Sequence, residues 1–124
     1  MKFFASVRAE VKFIVAATRT FEDSVVNVVT RLAEVSMAYA SRVGDDCRHA
    51  MTSLDENPRR GRTVPEMNDE RLRELLTTNG AFRVIYFVDV ASRIVTLVDF
   101  QSVHRFDPTT LVAAKKHLDS ESER

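Results

Sequence analysis

The run Leu72-Arg73-Glu74-Leu75-Leu76-Thr77-Thr78-Asn79-Gly80-Ala81-Phe82-Arg83-Val84-Ile85-Tyr86-Phe87-Val88 carries the pattern that decides the fold. From Leu72 onward the apolar period is two, the spacing of a half-buried strand. Asn79-Gly80 supplies the left-handed backbone that a tight hairpin turn requires. Leu72–Thr77 and Phe82–Val88 therefore read as paired strands. A third, Arg93–Phe100, follows through Asp89-Val90-Ala91-Ser92, which completes a three-stranded antiparallel meander. Phe82, Val84, Tyr86 and Val88 form one face of the middle strand, and Arg83, Ile85 and Phe87 the other. Two largely apolar faces predict a central strand covered by helices on one side and only partly exposed on the other.

Working back toward the N-terminus, Pro58-Arg59-Arg60-Gly61-Arg62-Thr63-Val64-Pro65 is a basic connector rich in helix breakers. Before it, Val43, Cys47, Ala50 and Leu54 form an apolar stripe at helical spacing that stops at Asn57-Pro58. Phe21, Val25, Val28, Leu32 and Val35 form an earlier stripe, with Thr20 as its expected cap and Asp23 completing a weak capping box. Two boundaries are compatible with these stripes. The first helix either continues to Gly44, or turns near Ser36-Met37 to give two antiparallel helices, with Gly44 in mid-helix at a cost of ~1 kcal/mol against Ala. Val11–Ala17 is rich in branched residues and reads as a strand. Toward the C-terminus, Asp107-Pro108 opens a short helix carrying Leu111, Ala114, Lys115 and Leu118, with fraying expected over residues 119–124. The order of strand, helical hairpin, three-stranded meander and short C-terminal helix is α+β.

Composition sets the limits of function. At 124 residues with 44% hydrophobic and 29% charged side chains, the chain suits one globular domain with its own core. Lys plus Arg and Asp plus Glu number 18 each, so any basic site must be local. Zero net charge also favours association, either as a homodimer or with a standing partner. Cys47 is the lone cysteine, which excludes an intramolecular disulfide and a thiolate cluster and fits a reducing cytoplasm. Arg8, Glu10 and Lys12 interrupt the apolar start before a signal h-region can form, and no apolar run is long enough for a membrane span.

The sequence shows no Gly-rich phosphate loop, no nucleophile elbow and no zinc-spaced pair, so neither cofactor nor metal is expected. His49 and Cys47 lie two apart on a helix and cannot face one site; His49 and His117 read as ordinary helix residues. The arginines are more informative. Arg83 sits in an otherwise apolar strand, where its charge needs a carboxylate, a backbone acceptor or a solvent cleft. A turn at Asn79-Gly80 is expected to bring Arg73 and Arg83 to one sheet face, with Arg62 and Arg105 approaching from the connector and the last strand. Such a cluster would bind phosphate bidentately at any working pH. His104, beside Arg105, adds a titratable group suited to general acid or base work. The structural alternative pairs Arg73 with Glu74 or another surface carboxylate, and Arg83 with Asp99.

Gly61-Arg62-Thr63-Val64-Pro65-Glu66, Leu72-Arg73-Glu74-Leu75-Leu76 and Phe82-Arg83-Val84-Ile85-Tyr86-Phe87-Val88-Asp89 resemble, in order and spacing, the motifs of the RelE/ParE superfamily of bacterial toxins. The resemblance covers about 57–107 and extends more weakly back to Val11 through the helical hairpin. Residues 61–76 look most like ParE, whose members are known as poisons of DNA gyrase. Residues 80–118 look like the HigB branch, whose members cleave messenger RNA, usually on the ribosome. HigB-like chains carry lysines where this one has Gln101-Ser102-Val103-His104-Arg105-Phe106, so two expected cations are missing.

The resemblance implies the toxin of a type II toxin–antitoxin system, of the kind linked to growth inhibition and plasmid stabilization, with an antitoxin as partner and either mRNA on the ribosome or gyrase as target. Arg83 matches the strand arginine that RelE-like nucleases place near the scissile phosphate. Arg105 corresponds to the second arginine, with His104 as the nearby acid or base. Arg62, Arg73 and Phe106 complete the expected target-binding set; Phe106 stands where a stacking tyrosine is usual and cannot exchange a proton. The alternative is a non-toxic superfamily member that serves as an interaction or regulatory module.

Overall fold

Thr18 starts the first helix, two residues before the Thr20 expected from sequence. Its Oγ1 accepts the Phe21 N–H at 3.1 Å and donates to the Leu97 carbonyl at 2.9 Å, so one side chain both caps the helix and ties it to a strand. The computed structural model describes residues 12–105 and 107–122. Helix α1 spans Arg19–Ala33 and α2 spans Met37–Ser53, with Ser36 capping α2 through the Tyr39 N–H. Of the two boundaries open in the sequence, the chain takes the turn near Ser36. Val35 consequently falls outside α1 and is 90% exposed, not part of the buried stripe as expected.

The strands are β1 (Ile14–Ala17), β2 (Arg62–Thr63), β3 (Leu72–Thr77), β4 (Phe82–Asp89) and β5 (Ile94–Ser102), in one sheet of order β1-β5-β4-β3-β2. The β3-β4-β5 meander is antiparallel, and β1 adds parallel to β5. The connector is not wholly irregular: Arg62 and Thr63 pair with Glu74 and Arg73 as a two-residue edge strand, too short to show a period. Thr78, Asn79 and Gly80 all have positive φ, the left-handed turn that Asn79-Gly80 foreshadows.

The two faces of β4 are buried in separate cores. Phe82, Val84, Tyr86 and Val88 pack with Phe21, Val43, Cys47, Ala50 and Leu54 under the helical hairpin. Ile85 and Phe87 pack on the opposite face with Val64, Leu72, Val98 and Leu111. Leu111 belongs to α3 (Pro108–Ser122), which continues four residues past Leu118, where fraying had been expected to begin; residues 123–124 lie outside the described residues. A bulge in β5, where Ile85 opposes Asp99 but Tyr86 opposes Leu97, places Val98 in the α3-side core.

α3 is also held by charge. Arg71 Nη2 bridges Asp69 at 2.9 Å and Asp119 at 2.7 Å, and Lys115 reaches Asp69 at 3.4 Å. The hydrogen bond from Arg71 holds the Asp69 carboxyl down at about 2 against the opposing effect of burial, with Lys115 assisting.

Candidate functional site

Strand alternation settles where the arginines point. Leu76 lies opposite Arg83 and Arg73 opposite Tyr86, so Arg83 shares its face with Glu74 while Arg73 shares the hairpin-side face with Tyr86. Arg73 and Arg83 are therefore on opposite faces, contrary to expectation, because the residue facing Arg83 is three positions from Arg73 and an odd step changes face. Arg73 Nη1 donates to the Gly61 carbonyl at 2.9 Å, and Gly61 N–H donates to Tyr86 Oη at 2.9 Å. Burial raises the Tyr86 phenol despite that hydrogen bond and the positive charges of Arg73 and Arg60.

Arg83 is 5% exposed and Glu74 1%. Arg83 Nη1 donates to Glu74 Oε1 at 3.0 Å, and its two Nη atoms reach the two oxygens of Glu66 at 3.4 and 3.3 Å. The other oxygen of Glu74 takes Arg62 Nη2 at 3.2 Å. Two cations and two carboxylates thus form one neutral cluster on the α3 face. Burial raises the Glu66 carboxyl, but the Arg83 hydrogen bond and the charges of Arg83 and Arg62 outweigh it and leave the group below its ordinary value. Asp99 is not the partner of Arg83. It accepts from Ser24 Oγ at 2.7 Å, the Phe100 N–H at 2.8 Å and Gln101 Nε2 at 2.6 Å.

His104 and Arg105 are exposed in the turn after β5, each held through its backbone N–H to Ser102. Arg105 lines a groove of about 270 Å³ with Ser24, Asn27 and Arg31 of α1 and with Asp99 and Asp107. Arg83 is not among the residues lining it, so the four arginines do not converge. Arg62 and Arg83 share Glu74, Arg73 lies on the reverse face, and Arg105 stands with Arg31. Phe106 lies outside the described residues. Arg31 and Glu66 escaped the sequence reading, Arg31 because it resembles any exposed helix cation and Glu66 because it reaches Arg83 from a loop.

A phosphodiester brought to Arg83 would meet two carboxylates already on its donors. Like charges ~4 Å apart at an effective dielectric of ~20 repel by ~4 kcal/mol, comparable to what one charged partner supplies. Cys47 is a poor nucleophile. Burial pushes the Cys47 thiol up to about 11, against a small opposing effect of Arg48. Among the described residues, no group of three His, Cys, Asp or Glu side chains could hold a metal ion, and no helix is long and apolar enough to cross a membrane.

A helical hairpin on one face of a sheet of this order is a fold also found among solved toxin–antitoxin structures. The chromosomal ParDE TA system from P. aeruginosa matches with a TM-score of 0.59 and 14% identity over 73% of this chain and 96% of that one. The toxin–antitoxin complex RelBE2 from Mycobacterium tuberculosis matches at TM-score 0.48 and 17% identity, covering 79% and 97% of the two chains. A mutant of the E. coli toxin RelE in the free state matches at TM-score 0.46 and 11% identity, covering 73% and 83%. No protein-family model matches the chain, and no curated protein matches it.

Proposed function

We propose that this chain is the toxin of a type II toxin–antitoxin pair and that it inhibits growth by binding DNA gyrase, in the ParE manner, without cleaving messenger RNA. The observation that carries this reading is the closure of Arg83 between Glu74 and Glu66. A nuclease of the RelE kind would need Arg83 to stabilise a pentacoordinate phosphate, with Arg105 near the leaving group and His104 moving the proton. A binding inhibitor needs none of these groups to titrate or to release a partner. The overall charge balance points the same way, because binding to ribosomal RNA draws on an excess of Lys and Arg.

The antitoxin would occupy a groove between the two helices of the hairpin. Val25, Val26, Val29, Gly44, Cys47 and Met51 line this groove of about 430 Å³. Val26 is 61% exposed, which suits an amphipathic partner segment that folds on binding. Inducing the chain in bacteria is expected to stop growth and raise the DNA-damage response while primer extension finds transcripts uncut; His104→Ala is expected to remain toxic. Cut transcripts would overturn the gyrase reading. Normal growth would assign the chain to the non-toxic, protein-interaction alternative.

A further inference from the structure

The cations that do gather lie elsewhere. Arg42, Asp46, His49 and Ala50 follow steps of four, three and one along α2, which puts them on one helix face. That face looks toward the end of β3 and its turn. With Arg60 of the connector and with Leu75, Leu76, Thr77, Thr78 and Asn79, they line a pocket of about 310 Å³. Asp46 is the sole carboxylate in that lining, and it already accepts Thr78 Oγ1 at 2.8 Å, while Arg42 Nε stands 3.9 Å away. The Arg60 guanidinium has no carboxylate partner among the described residues. In a chain with no net charge, this is a local excess of positive charge in a concave and polar site.

We infer that the pocket between α2, the connector and the β3-β4 turn binds a phosphate oxyanion, held by the guanidinium groups of Arg42 and Arg60 with the His49 imidazole at its rim. Two planar guanidiniums from different elements line the same pocket, a guanidinium can bind phosphate bidentately, and both remain charged at every working pH. Asp46 fixes the turn through Thr78 and partly offsets Arg42, which limits the affinity. The phosphate can belong to a free small molecule or to a nucleic-acid backbone, since both present the same oxygens. This site is independent of Arg83 and of the gyrase reading.

The test titrates pyrophosphate into the purified full-length chain at low ionic strength by calorimetry, with amide NMR shifts locating the site. Saturable binding is expected, with shifts at His49, Thr78 and Asn79. Arg42→Gln and Arg60→Gln should each weaken it about tenfold, as loss of a charge-assisted hydrogen bond does. Asp46→Asn should tighten it about threefold, by removing the competing charge. A single-stranded RNA ten-mer that displaces pyrophosphate, with steep salt dependence, would make the source a nucleic-acid backbone; failure to displace it would leave a small phosphate as the ligand. Shifts mapping elsewhere, arginine variants that bind unchanged, or equal binding of acetate would overturn the site.

Discussion

Arg83 and Glu74 meet at 3.0 Å with side-chain exposures of 6% and 0%, so neither charge has water as an alternative partner. Glu66, by contrast, keeps 41% of its side chain in solvent. The two carboxylates that close Arg83 are therefore energetically unlike: one is fixed in the interior and one is exchangeable.

That difference predicts an uneven mutation series. Arg83→Ala should cost about 3 kcal/mol, because it strands the buried Glu74 with only the half-exposed Arg62. Replacing Arg83 and Glu74 together by Met should fall within about 1 kcal/mol of the wild type, since an apolar pair needs no desolvated charge. Glu66→Gln should cost less than about 1 kcal/mol. Urea unfolding of the wild type and these three variants checks this; a double variant that loses as much stability as Arg83→Ala would contradict it.

Gly61 packs closely against β3 and Tyr86 beside this site. A Cβ there would collide with the Glu74 carbonyl and stand 2.6 Å from Tyr86 Oη. Gly61→Ala should therefore push β2 off β3, with a loss of about 2–3 kcal/mol. It should also release the Tyr86 hydroxyl, visible as a shifted tyrosine absorbance alongside a lower unfolding midpoint.

Gly44 behaves in the opposite way. It lies in mid-helix, and an added Cβ would meet Val29 Cγ2 at 3.8 Å, an ordinary contact. Gly44→Ala should stabilise the chain by about 1 kcal/mol through helix propensity alone. Thermal unfolding gives the answer, and a lower midpoint would mean that the two helices need the closer approach.

Acid should loosen α3 first. Asp69 is held at about 2, below its ordinary value, chiefly by Arg71. A depressed carboxyl contributes stability that is fully present above its unfolded value near 3.8 and is lost as the pH falls toward 2. The contribution is on the order of 1–2 kcal/mol once the solvent exposure of Arg71 is allowed for. Hydrogen exchange in α3 should rise between pH 4 and 2 in the wild type, whereas Asp69→Asn should show the faster exchange already at neutral pH.

Much of this architecture is legible in the sequence because it is local or periodic. The two faces of β4 follow from alternation, the turn from Asn79-Gly80, and the α2 stripe from its helical steps. What escapes is what periodicity does not encode. Arg62-Thr63 is too short to alternate, and Thr18 outcompetes Thr20 as a cap because it also bonds to Leu97 across the chain. The candidate site suffers most. The partners of Arg83 come from an adjacent strand and from a loop 17 residues upstream, and neither spacing nor residue type singles out Glu66 over Asp99. Arg105 lies near Arg31 only because α1 runs beside the end of β5.

The most direct measurement adds the purified chain in parallel to a gyrase supercoiling reaction and to a translation extract programmed with end-labelled messenger RNA. A closed Arg83 predicts inhibited supercoiling with the message intact. A message cut within its translated region, with supercoiling unaffected, would contradict the proposal that this fold acts by binding gyrase.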